Sequence, residues 1–179
     1  MTNRRKPERG GIEPPNLKEY SLVALGGTFD RIHVGHEALI RKALEVGKRV
    51  IIGLSTDRMA EATKPHTVTG YEKRRRSLLR FLRRLGAEDR AEIVPLDDPY
   101  GPTVVDPNIR AIVVSPETAP RVDEINRIRV ERHLKQLEVI TVDMVLAEDR
   151  KPVSTTRMLQ GEIDRRGRLL KPMPRERGA

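Results

Sequence analysis

The chain contains no cysteine and no tryptophan, and its 179 residues include only two phenylalanines and three tyrosines. Without cysteine there can be no disulfide, no thiolate nucleophile and no cysteine-based zinc site. A reducing, cytoplasmic setting is the expectation. So few aromatic rings leave little stacking surface for single-stranded nucleic acid. Long apolar runs are missing as well, and none approaches the roughly 20 residues that span a bilayer. The opening segment Met1-Thr2-Asn3-Arg4-Arg5-Lys6 is basic with no hydrophobic stretch behind it, which is not the pattern of a signal peptide.

Positive charge is plentiful. Lys and Arg number 35 against 26 Asp and Glu, for a formal net charge of +9 and a pI near 10.2. Such an excess suits either a nucleic-acid surface or a well of potential for phosphorylated small molecules. The charges are spread through the chain instead of lying in one tail, and the small-molecule reading takes precedence. Residues 1–19, polar and rich in Pro and Gly, read as a flexible basic extension. Residues 20–171 read as one domain and residues 172–179 as a frayed tail. This length suits a single core.

Within the domain, strands and helices alternate. Tyr20 to Leu25 predicts a buried strand, His36 to Val46 a helix closed by Gly47, and Val50 to Leu54 a second strand. Ser55 to Thr69 reads as a loop. Tyr71 to Leu85 predicts a helix whose apolar residues Leu78, Leu79, Phe81, Leu82 and Leu85 recur three and four apart. The arginines of that helix read as a solvated or steering face. Ala91 to Leu96 reads as an edge strand because Pro95 has no N–H to give a ladder. Asp97 to Pro107 reads as loop or short helix. Ala111 to Val114 predicts a buried strand, Pro120 to about Leu137 a helix, Glu138 to Val142 a strand, and Ser154 to about Gly161 a capped helix. This order predicts an α/β fold: an open, mostly parallel, Rossmann-like sheet with helices on both faces. Ligands of such sheets bind beyond the carboxyl ends of the strands.

One of those ends carries Gly26-Gly27-Thr28-Phe29-Asp30-Arg31-Ile32-His33-Val34-Gly35-His36. Glycines let backbone approach a polyphosphate closely. The start of a helix offers N–H groups and the positive end of its dipole to an anion. Two imidazoles add donors at the same mouth. Near the other end of the chain, Ser154, Thr155, Thr156 and Arg157 place three hydroxyls and a guanidinium at a helix start. They are suited to a second part of the same polyphosphate. His33 and His36 at a spacing of three are compatible with zinc, yet no third ligand is visible. No carboxylate cluster dedicated to a metal is visible either.

The first segment resembles the signature of the H-x-G-H nucleotidyltransferases. Asp30 and Arg31 before His33, and Glu37 after His36, resemble phosphopantetheine adenylyltransferases of the archaeal and eukaryotic type. Val153-Ser154-Thr155-Thr156-Arg157 resembles the I-S-S-T-x-x-R motif of that superfamily, and Val113-Val114-Ser115-Pro116-Glu117-Thr118 the V-V-S-x-E-T segment of the subfamily. The match runs from Leu22 to Gly161. Leu159 stands where the superfamily often has a second basic residue, so that role falls to Arg157 or another arginine.

The resemblance implies an adenylyltransferase of coenzyme A biosynthesis, joining ATP and 4′-phosphopantetheine to give dephospho-coenzyme A and pyrophosphate. It implies His36, His33 and Thr28 as catalytic residues. It implies an ATP site of Gly26, Gly27, Thr28, Phe29, His33, His36, Ser115, Glu117, Thr118, Ser154, Thr155, Thr156 and Arg157. Thr28, Asp30 and Lys64 are expected at the acceptor. Mg2+ is expected to arrive largely through the ATP phosphates and water. The alternatives are a related enzyme with glycerol phosphate, nicotinamide mononucleotide or flavin mononucleotide as acceptor, or a non-catalytic basic nucleic-acid-binding protein.

Overall fold

In the computed structural model, which describes residues 20–63 and 66–170, the apolar run Leu22–Leu25 sits in the middle strand of a five-stranded sheet. In chain order the strands are β1 (Tyr20–Gly27), β2 (Gly47–Ser55), β3 (Ala91–Leu96), β4 (Ala111–Val114) and β5 (Glu138–Thr141). Side by side they run β3-β2-β1-β4-β5, and every neighbouring pair is parallel. Burial is continuous from Val50 to Ser55, as a strand covered on both faces requires.

The two-residue period of the strands sorts their side chains between two cores. Val23, Leu25, Ile52 and Leu54 pack on one face against Ile40 of helix α1 (Val34–Val46) and Leu78, Phe81 and Leu82 of a later helix spanning Tyr71–Arg84. Ala24, Ile51, Ile112 and Val114 pack on the other face against Val122 and Ile125 of the helix Pro120–Glu131. Ile109 and Val104, just before β4, complete that second core. Between β2 and the Tyr71 helix lies a seven-residue helix. In chain order these three helices are α2 (Asp57–Thr63), α3 (Tyr71–Arg84) and α4 (Pro120–Glu131), and α5 (Thr155–Leu159) follows.

The edge position of β3 agrees with the sequence reading of Pro95, which is paired in register with Leu54. Strands β1 and β2 run longer than expected, and three helical boundaries differ. The loop expected from Ser55 to Thr69 contains α2, whose one buried residue, Ala60, offers no periodic stripe to read. The helix expected from His36 begins at Val34, because extended His33 is its cap. The helix expected to reach Leu137 stops at Glu131, since His133 adopts φ 58° and the left-handed region ends a helix. The expected flexible ends, 1–19 and 172–179, lie outside the described residues.

From β1 the chain passes through α1 to β2 on one side, whereas β4 lies on the other side of β1. The strand order therefore reverses between β1 and β4. The crevice beyond their carboxyl ends is where sheets of this kind bind ligands.

Candidate active site

A cleft of about 690 Å³ opens at that crevice. Gly26, Gly27 and Thr28 at the end of β1 line it, with His33 and His36 at the start of α1. Ser115, Glu117 and Thr118 enter from the turn after β4, and Ser154, Thr155 and Thr156 from the start of α5. Segments separated by more than a hundred positions in sequence thus share one cavity.

A small third core holds the late segment against the early one. Ala147, Val153 and Ile163 are buried together with Val34, the first residue of α1, packed on them. The Val34 N–H donates to the Arg165 carbonyl at 3.0 Å. The approach is close enough that a Cβ added to Gly35 would lie 3.9 Å from the Val153 carbonyl oxygen.

His33 shows why H-x-G-H needs its glycine. Its Nδ1 accepts the Gly35 N–H at 3.2 Å, capping α1. A Cβ at Gly35 would sit 3.1 Å from the His33 ring, closer than side chains tolerate without shifting. The His33 ring stacks on His36 with centroids 3.9 Å apart and planes at 25°. Burial leaves His33 6% exposed and lowers its pKa from 6.5 to about 4 by desolvation. The ring is therefore neutral at pH 7. Since Nδ1 accepts, the proton is on Nε2. Stacked face to face, the two rings do not converge on a common point as zinc ligands would.

Phe29 adopts φ 47°, a conformation costly for a bulky residue. Its ring is 1% exposed and lies 5.0 Å from the His36 ring. A Cβ at Gly27 would meet the Phe29 ring at 3.1 Å, so the second glycine makes room for it. Phe29 borders the cleft, but its side chain belongs to the core beneath His36 and is not open for a base to stack on.

Ser154 caps α5, its Oγ accepting the Arg157 N–H at 3.3 Å. A hydroxyl used as an acceptor keeps its own proton to donate. After β4, the Thr118 Oγ1 and Ser115 Oγ lie 3.2 Å apart, and the Thr118 N–H donates to the Ser115 carbonyl at 3.0 Å. That tight turn points exposed polar groups at the cleft mouth.

Two expected site residues are placed differently from the sequence reading. Arg157 does not line the cleft. Its Nη2 is 2.6 Å from Asp149 Oδ2 and its Nε 2.8 Å from Glu162 Oε2, and its Nη1 donates to the Lys151 and Pro152 carbonyls. These bonds raise its pKa, through Glu162 first and then Asp149, and burial opposes them. The guanidinium braces the hydroxyl segment from behind. The Asp30 carboxylate, only 5% exposed, accepts the Thr69 N–H at 2.8 Å and so ties down the approach to α3, although the residue borders the cleft. Lys64 lies outside the described residues.

One residue was hidden among the arginines of α3. Arg74 is 0% exposed. Its Nη1 donates to the Thr28 carbonyl at 2.9 Å and the Ser55 carbonyl at 2.8 Å. Its Nε donates to the Thr69 carbonyl and its Nη2 to Asp57 Oδ1 at 2.7 Å. The face read as solvated is so only at the other positions. A sequence signal existed: Arg74 stands four residues before Leu78 and seven before Phe81, within the apolar stripe.

Among the described residues no group of three or more His, Asp or Glu is placed to hold a metal, and no helix is long and apolar enough to cross a membrane. The cleft lining combines hydroxyls, imidazoles and the Arg121 guanidinium, all able to donate to phosphate oxygens, with the carboxylates of Asp30, Glu117 and Asp143.

The cytidylyltransferase-like family model matches residues 24–161. Phosphopantetheine adenylyltransferase of Methanosarcina barkeri is 49% identical over 152 residues, covering 83% of this chain and 92% of that protein. The enzyme of the same name from Methanothermobacter thermautotrophicus is 46% identical over 162 residues, covering 90% and 95%. Among solved structures, a protein of Archaeoglobus fulgidus superposes with a TM-score of 0.62 at 36% identity, over 68% of this chain and 88% of that one. A lipopolysaccharide core biosynthesis protein of Thermoplasma volcanium, 16% identical with a TM-score of 0.54 over 68% and 95%, shares the fold. With the paired imidazoles, the glycine turn and the hydroxyl segment brought to one cleft, the chain belongs to the cytidylyltransferase-like family and, within it, to the phosphopantetheine adenylyltransferases.

Proposed function

We propose that the protein transfers the adenylyl group of ATP to 4′-phosphopantetheine, forming dephospho-coenzyme A and pyrophosphate in the cytoplasm. The observation that carries this reading is the meeting of the H-x-G-H turn and the Ser154–Thr156 hydroxyls on one cleft. An oxygen of the acceptor phosphate attacks the α-phosphorus. A new P–O bond forms, the bond from that phosphorus to the β-phosphate bridge breaks, and its electrons leave with pyrophosphate. The attacking oxygen is already anionic near neutral pH, so no strong base is called for. Catalysis consists of aligning two anions and stabilising the charge that builds between them.

The side chains divide this work. The Thr28 hydroxyl and the turn Gly26-Gly27 hold the attacking phosphate against the α-phosphate. His36 donates to the α-phosphate as its charge grows, supported from below by the Phe29 ring. His33 donates through Nε2–H and, being neutral, does so unchanged across the physiological pH range. Ser154, Thr155 and Thr156 bind the β- and γ-phosphates, with Arg157 fixing the backbone behind them. Ser115, Glu117 and Thr118 line the nucleoside end, and Lys64 is assigned to the acceptor phosphate. Mg2+, held by the nucleotide phosphates and water, would supply neutralisation of phosphate charge.

The test is a panel of acceptors, each offered with ATP or CTP and assayed for pyrophosphate release. Phosphopantetheine with ATP gives the highest kcat/KM. Turnover of glycerol phosphate, nicotinamide mononucleotide or flavin mononucleotide, with none of phosphopantetheine, overturns the assignment.

A further inference from the structure

Arg74 has a place in the fold that neither its charge nor its helix explains. It carries a full positive charge with no exposed surface. Four of its N–H groups reach four different elements: the turn after β1, the end of β2, the start of α2 and the segment leading into α3. A guanidinium is the one side chain able to do this, since its five donors diverge in a plane. The partner that matters is the Thr28 carbonyl, at the tip of the glycine turn.

A trans peptide holds its C=O and N–H on opposite sides. With the Thr28 carbonyl drawn down onto Arg74 at 2.9 Å, the N–H of the next residue, Phe29, is turned the other way. Arg74 is wholly buried whereas Thr28 and Phe29 both border the cleft, so the N–H turned away from Arg74 is the one available to it. The same peptide leads into the left-handed φ of 47° at Phe29, a conformation that persists only where its surroundings impose it. Arg74 supplies that imposition through a bond stronger than a neutral one.

We propose that Arg74 is a positioning residue for the transferase reaction: by clamping the Thr28 carbonyl it aims the Thr28–Phe29 peptide N–H into the cleft as a fixed donor for phosphate charge. The inference rests on the phosphate role given above to the glycine turn. Because the donor meets charge that builds during transfer, its misplacement lowers kcat more than it raises the KM for ATP.

The experiment uses Arg74→Lys, Arg74→Gly and, as a control, Arg129→Lys. Arg129 is equally buried but bonds the Thr103, Asp106, Ile109 and Lys135 carbonyls, none of which borders the cleft. Rates are taken with ATP and phosphopantetheine, well below each variant's melting transition, and corrected for the folded fraction. Arg74→Lys lowers kcat about 10- to 100-fold while the KM for ATP stays within about threefold. Ethylguanidinium partly restores kcat to Arg74→Gly, and ethylammonium does not. Arg129→Lys melts earlier yet keeps the parental kcat. Should Arg74→Gly not fold, the lysine variant carries the decision. A folded Arg74→Lys with parental kcat overturns the proposal, as does a loss matched by Arg129→Lys at equal folded fraction. An inert parent protein overturns the reading of function and the proposal together.

Discussion

Two arginines, Arg74 and Arg129, are both wholly buried and both bond backbone carbonyls, Arg74 with the Asp57 carboxylate in addition, yet they serve opposite ends of the strands. Arg129 gathers Thr103, Asp106 and Ile109, in the chain leading into the amino end of β4, and Lys135, before β5. Arg74 gathers Thr28 and Ser55 at the carboxyl ends of β1 and β2. The same chemistry builds scaffold at one end and shapes a reaction site at the other. In a parallel sheet, then, the role of a buried ion follows from the strand end it serves more than from its own bonds.

Substitutions at the two ends separate stability from turnover. The largest effect is expected for His36→Ala. Losing one donor to developing charge lowers kcat by about 10²- to 10³-fold, while circular dichroism shows a folded protein. A parental rate in that variant would remove the imidazole from the mechanism. Next comes Arg129→Met at the amino end. It strands buried carbonyls and lowers unfolding free energy by about 3 kcal/mol, measured by urea titration, with kcat unchanged. A matching fall in kcat would erase the distinction between the ends.

His33 gives a prediction in pH. Its folded pKa, about 4, lies below the ordinary 6.5. Between these values the unfolded chain holds a proton that the folded one does not, so stability rises with pH through that window. The contribution is complete above about pH 6.5 and is lost as pH falls through about 4. It amounts to on the order of 3 kcal/mol. Urea midpoints across that range should trace this slope in the parent protein and a flatter one in His33→Asn. An identical slope in both would place the titrating group elsewhere. The smallest effect is expected for Ser154→Ala. Removing the cap of α5 costs about 1 kcal/mol of stability, and loss of a neutral hydrogen bond raises the KM for ATP roughly fivefold.

The carboxyl end was the more legible of the two in sequence because its signals are local. Adjacent glycines and a serine cap each act within four residues, whereas the histidine cap at His33 went unread. The strands declared themselves by unbroken apolar runs, and Pro95 marked the edge strand by its missing donor. Residues whose role depends on distant partners were harder to read. Arg157 read as a phosphate ligand from its motif, yet Asp149 and Glu162 close around it, and Asp30, expected at the acceptor, also takes the Thr69 N–H. Arg74 and Arg129 hid among many arginines, although each keeps the spacing of its helix's apolar stripe, Arg74 with Leu78 and Arg129 with Val122 and Ile125. Periodicity marked them as inward, and only the carbonyls they meet explain why a charge is accepted there.

The cleft draws on residues between 26 and 36 and again on residues 154–156, so the proposed grip on a triphosphate has a consequence for synthesis. Translation delivers the imidazole pair early and the hydroxyls only when more than 150 residues have been made. On the proposed reading, a chain ended before residue 154 would carry half of the phosphate machinery and none of its turnover.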